Sequence, residues 1–197
     1  MATIKYIYDG HDYKFIKNGD KIVQMYRIIA FTNFKTPYGK VNKGDKGGYV
    51  ASQTLSHDGN CWVAKDAMVG DDCYVSGDAY IAGSQLKQNV VVGGSAYIKN
   101  STIDSGYKCS IMAGSKVVDS EICGNVFLDG ESQISNSKVY GNVFLENDVH
   151  LDKCEVKGYG NGIKAVGTKR IKNALIEGTG ILGMSDSVKV SEKERSR

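Results

Sequence analysis

Three histidines, five cysteines and a set of aromatic residues at regular spacing are the groups in this chain with chemistry to offer. A histidine titrates near neutral pH and serves as a general base toward a hydroxyl or an amine. His57 in LSHDGN and His150 in NDVHLD are the candidates, and His150 is the better one. It falls at an outward position on a flat strand face, where a neighbouring subunit could complete a cleft. The ordinary alternative is a solvated surface histidine. Cys61, Cys73, Cys109 and Cys154 sit at small inward positions, where a thiol packs as a small hydrophobe. Cys123, at an outward turn position, is the one candidate for an exposed thiol. There is no CxxC spacing, paired metal ligand, GxSxG or phosphate-cradling loop, so no metal site is expected.

The aromatic residues fall into columns. Trp62, Tyr80 and Tyr97 are separated by 18 and 17 residues, and the same phase continues through Lys116, Gln133 and His150. A second column holds Tyr74, Phe127 and Phe144. An exposed aromatic ladder can form a subunit interface or stack a sugar or a nucleobase. It can also do no more than stabilise a sheet through neighbouring-strand pairs.

Those columns require a repeating scaffold. From Gly59 the chain reads GNCWVA, KDAMVG, DDCYVS, GDAYIA, a six-residue unit with Gly or a polar residue first, a small third residue and Val or Ile fifth. After a break the unit returns as GSAYIK from Gly94, then as GNVFLD from Gly124 and GNVFLE from Gly141, with five-residue versions such as NSKVY between. Strand side chains alternate, so the third and fifth residues share one face and the fourth faces the other way. The predicted core is therefore Val63, Val69, Val75, Ile81, Val92, Ile98, Ile103 and their later equivalents, nearly all β-branched, as strands favour. Gly, Asn and Asp at the first two positions supply corners. The fold expected is all-β: a left-handed parallel β-helix of about seven coils over residues 46–190, with an interruption near 158–172, where GYGNGIKAVGTKR loses phase.

Residues 1–45 have another texture. TIKYIY, Asp9-Gly10, HDYKFIK, Asn18-Gly19 and DKIVQMYRIIAF predict a small antiparallel meander with tight turns, followed by a connector carrying Pro37, the only proline. Its expected task is to cover the open end of the solenoid. Residues 191–197 end the chain as a charged, flexible tail. The net charge of +3 argues against a nucleic-acid partner, no apolar run is long enough for a membrane helix, and MATIKYIYDG does not read as a secretory signal. A cytoplasmic location is expected.

The pattern of the hexads resembles that of the hexapeptide-repeat acyltransferases. More specifically, YRIIAF from Tyr26, GDKGGYV from Gly44 and LSHDGNCWVAKDAMV from Leu55 resemble the first rungs of YdcK-like hexapeptide-repeat proteins of enterobacteria and their phages. The resemblance covers the chain from about Tyr26 onward. It implies a phage or prophage origin, with the host cytoplasm as location, and a homo-oligomer, a trimer by analogy of fold. For an acyltransferase it would imply acetyl coenzyme A or another acyl-coenzyme A as cofactor, with His150 or His57 as the base.

The leading expectation is a non-enzymatic binding or assembly module without cofactor, self-associating through Trp62, Tyr80 and Tyr97 with Tyr74, Phe127 and Phe144 beside them. A coenzyme A-dependent acyltransferase is the first alternative. A phage sponge that sequesters a nucleotide signal between subunits is the second. A protein or a small nucleotide ligand is the expected partner.

Overall fold

The computed structural model describes residues 4–104 throughout, with side chains to residue 103, and beyond them the backbone of strands between Cys109 and Glu192. The side chains of Phe127, Phe144 and His150, three of the cysteines and the tail after Glu192 lie outside the described residues. Every regular element among the described residues is a strand.

The chain begins with a hairpin, β1 (Tyr6–Asn18) and β2 (Lys21–Ala30), then a miniature hairpin, β3 (Phe34–Thr36) and β4 (Gly39–Val41), then β5 (Lys46–Val50). From there it winds as a β-solenoid. One face stacks Trp62–Val63, Tyr80–Ala82 and Tyr97–Lys99; the next stacks β5, Met68–Val69, Gln85–Lys87 and Thr102–Asp104; the third stacks Tyr74–Val75 and Val90–Val92. The three faces are visited in turn, and the fully described part makes about three turns. Within each face the strands are parallel and in register, Val63 beside Ile81 beside Ile98, and Val69 beside Leu86 beside Ile103.

The interior follows from the hexad phase. Val63, Val69, Val75, Ile81, Val92, Ile98 and Ile103 are all 0% exposed, with Cys61, Ala67, Ala79 and Ala96 fully buried beside them. Each such aliphatic side chain contributes about 1.5–3 kcal/mol on burial. Small third residues leave room for three walls to meet around one axis. The apparent break before Gly94 is filled: in GSQLKQ, Ser84 is buried and Leu86 fully so, and Gln85–Lys87 is a rung in register. A five-residue unit there, in place of six, obscured the phase.

The N-terminal region departs from the expected meander. Asp9-Gly10 is not a hairpin turn; β1 runs through it as a single strand, and its pairing to β2 shifts register between Asp9 and Tyr13. Extra residues in one strand make a bulge rather than a reversal when the partner strand continues past them. The second turn is present, with Gly19 and Asp20 between the paired Asn18 and Lys21, and Gly19 at φ +61°. β2 then pairs antiparallel with β5, so the hairpin extends one face of the solenoid as a mixed sheet. Tyr6, Ile28 and Ala30 join the solenoid core, and the Tyr6 hydroxyl donates to the Leu55 carbonyl at 2.6 Å. Asn18 fastens the far end, accepting from the Gln88 N–H at 2.9 Å.

Gly47 and Gly48 lie within β5, and their small size serves close packing. A Cβ on Gly47 would sit 2.5 Å from Ile28 Cγ1, and one on Gly48 would sit 2.3 Å from the Ala67 carbonyl oxygen. Farther along, the backbone pairing places Ile163–Ala165 and Lys169–Lys172 as rungs inside the 158–172 stretch. Lys189–Glu192 pairs antiparallel with Ala174–Glu177, so a strand reaches into the segment expected to be tail.

Candidate functional site

Trp62, Tyr80 and Tyr97 form one column, in direct register on adjacent strands. Lys116, Gln133 and His150 follow by backbone pairing. In the second column Tyr74 continues through Val91 and Ser110 to Phe127 and Phe144. Tyr74 is 43% exposed.

The first column is not an open ladder, which corrects the expectation of an exposed aromatic face. Trp62 is only 4% exposed. The connector folds back as β3 and β4 and lays two rings over the column. Phe34 meets Trp62 edge-on at 5.5 Å, and Tyr38 stacks on Tyr97 at 4.4 Å with the rings 18° apart. Tyr38 also packs against Tyr80 at 5.6 Å, and its hydroxyl donates to the Ser95 carbonyl at 2.8 Å. Thr36, buried, holds the turn by donating to the Gly39 carbonyl and accepting from the Tyr38 N–H. Burial pushes the pKa values of Tyr38 and Tyr80 upward, so both remain neutral hydroxyls.

Beside this covered column lies a cleft of about 780 Å³. It straddles the corner between the Trp62 face and the Met68 face, and four separate stretches of chain wall it. β1 supplies Lys14; the segment from β4 into β5 supplies Lys40, Lys46 and Tyr49; the solenoid supplies Trp62, Lys65, Met68 and Tyr80. Arg27 of β2 also lines it, and four of the five N–H groups of its guanidinium are engaged. Nε donates to Asp12 at 2.7 Å, one terminal nitrogen to the Gly47 and Lys65 carbonyls at 2.7 and 3.2 Å, and the other to the Tyr49 hydroxyl at 2.6 Å. The Tyr49 hydroxyl donates in turn to Asp12 at 2.7 Å. These bonds from Tyr49 and Arg27 hold the Asp12 carboxyl below its usual range. Burial, with Asp12 as acceptor, pushes the Tyr49 phenol up.

No protein-family model matches this chain, and no curated protein matches it.

The two candidate bases fare differently. His57 stacks on Tyr6 at 4.2 Å with the rings 19° apart, and its Nδ1 accepts from the Lys5 N–H at 3.3 Å. Burial, and then the Lys5 charge, lower its pKa. It packs against the first rungs and is absent from the lining of the cleft. His150 is placed by its backbone between Gln133 and Arg170. Cys61 and Cys73 are buried thiols, neither of them in a disulfide; the Cys61 thiol lies 3.2 Å from the Lys5 ammonium, and burial raises its pKa.

The lysines of the cleft carried no signal in the sequence, because they belong to segments far apart in the chain. Arg27 fell within YRIIAF, Lys46 and Tyr49 within GDKGGYV, and Lys65 within LSHDGNCWVAKDAMV, where their neighbours in space could not be seen.

Proposed function

We propose that the protein is a non-enzymatic β-solenoid binding module that assembles with a second copy of itself through the exposed, turn-end part of one face of the β1–β2 hairpin. The observation that carries this reading is an uncovered apolar sheet face. Alternation with the paired register puts Tyr13, Phe15 and Lys17 of β1 on the same side as Tyr26, Gln24 and Ile22 of β2. Of these, Tyr13 is 50%, Phe15 60% and Ile22 78% exposed. Rings continue along it, from Phe15 to Tyr13 to Tyr26 to Tyr8 at centroid spacings of 5.7–6.3 Å. The opposite side of the hairpin buries Val23 and Met25 against Tyr49 and Ala51.

A contiguous apolar face of this kind marks an interaction surface, and a two-fold contact lets one patch complement itself. This face takes the role first expected of the Trp62 column. The hexads further support a left-handed helix of about seven coils, and the Tyr26–Val69 motifs support kinship with YdcK-like proteins, as parts of the same proposal.

Native mass spectrometry and light scattering test the assembly. The wild type is expected to be an even-numbered oligomer, and the Phe15→Asp/Ile22→Asp variant a folded monomer, since both side chains are exposed in the single chain. A wild-type monomer at all concentrations would sink the reading; a trimer would overturn the two-fold contact.

A further inference from the structure

We infer that the cleft at the Trp62–Met68 corner is a binding site for a phosphorylated ring compound of the nucleotide class. This goes beyond assembly: Lys14, in the cleft, alternates along β1 with Tyr13 and Phe15, so the site opens on the opposite side of the hairpin from the proposed contact.

The first argument is the balance of free charge. Five cationic residues, Lys14, Arg27, Lys40, Lys46 and Lys65, line the cleft together with Asp45 and Asp66. The acids have backbone tasks. Asp45 accepts from the Asn42 N–H at 2.8 Å, closing the turn before β5, and Asp66 accepts from the Gly83 N–H at 3.0 Å, holding a corner. Arg27 is spent on Asp12, Tyr49 and two carbonyls. Lys14 lies over the Tyr49 ring at 4.4 Å. Among the described residues, the ammonium groups of Lys40, Lys46 and Lys65 make no ion pair. Three cations held around one concavity by two strands and a solenoid turn repel one another, and an anion with several oxygens relieves that repulsion. Phosphate answers this better than a single carboxylate because its charge and its acceptors are more numerous.

The second argument is the remaining wall. Tyr80, the edge of Trp62, Met68, Val41 and Ala64 give the cleft an apolar side next to its cationic one. Tyr80 is only partly buried and is held in place by Tyr38 and Tyr97. A rigid ring beside a cationic rim fits a ligand with a planar group at one end and phosphates at the other. The volume is within the roughly 300–1,000 Å³ of small-molecule sites.

Isothermal titration calorimetry of the full chain with magnesium-free ATP, adenosine and tripolyphosphate tests this. ATP is expected to bind at least about tenfold tighter than either fragment, since only ATP engages both walls. Lys46→Gln/Lys65→Gln is expected to weaken ATP about tenfold or more while leaving the unfolding temperature near that of the wild type, as both side chains are exposed. A distant lysine change, Lys87→Gln, is expected to leave binding intact. No heat with millimolar ATP overturns the site. Equal affinity for ATP and tripolyphosphate overturns the nucleotide class in favour of a bare polyanion. Repeating the titration on the Phe15→Asp/Ile22→Asp variant separates this inference from the assembly reading, because binding by a monomer stands without it.

Discussion

Replacing Gly77 by alanine tests whether the corner glycines hold the solenoid together. Gly59, Gly77 and Gly94 stack at the corner between the Tyr74 and Trp62 faces, at φ +67°, +65° and +62°. An L-residue in that conformation costs about 1–2 kcal/mol. A Cβ on Gly77 would also stand 2.8 Å from the Gly94 carbonyl oxygen and 3.0 Å from its nitrogen. Both atoms are backbone of the next coil, whose N–H and C=O groups are committed to the stack; Asp78 N–H donates to the Gly94 carbonyl at 2.7 Å. Relief needs a shift of the coil, and overpacking of this kind costs about 1–3 kcal/mol. Alanine recovers about 0.4–1 kcal/mol by restricting the unfolded chain. The net is a loss of about 2–4 kcal/mol, or roughly 4–16 °C in unfolding temperature for a chain of this size. Thermal unfolding followed by circular dichroism measures it. Gly70→Ala is the control: its φ is ordinary and its Cβ would meet the Leu86 carbonyl oxygen at 3.3 Å, so it should cost less. Gly59→Ala, with a contact of 2.3 Å to the Gly77 carbonyl oxygen, should cost more. If Gly77→Ala unfolds within about 2 °C of the wild type, or no lower than Gly70→Ala, the tight-corner reasoning is wrong.

Two further outcomes follow from the site. The Asp12 carboxyl has its pKa lowered in the folded state, so its contribution to stability is present above the unfolded value near 3.9 and fades as pH falls through the lower folded value. Asp12→Asn should therefore be less stable than the wild type at pH 7 in urea titrations, with the gap closing below about pH 4; a gap independent of pH would remove the charge from the account. Trp62, the only tryptophan, reports on its cover. Phe34→Ala should shift its emission to longer wavelength and raise quenching by acrylamide, whereas an unchanged spectrum would mean that β3 and β4 do not shield the column.

The solenoid interior was legible because strand alternation and a short repeat leave little freedom. Once Val63, Val69 and Val75 recur six apart with small residues two positions before each, one face must be buried. The places where the reading slipped share one cause. At Leu86 a five-residue unit replaced six, and at Asp9-Gly10 a turn signal was overridden because β2 continued as a partner on both sides of it. Local signals lose to pairing when the pairing is longer than the signal.

The phase of Trp62, Tyr80 and Tyr97 was written in their spacing, and the register of their strands agrees with it. Their exposure was not, since alternation says which way a side chain points and nothing of what lies across from it. Phe34 and Tyr38 cover the column through contacts reaching back from a connector without a repeat. In the same way Lys14, Lys40, Lys46 and Lys65 are ordinary surface lysines along the chain and become one cationic rim in space. A repeat encodes its own core locally, whereas a cleft between unlike segments exists only after the chain has closed around it.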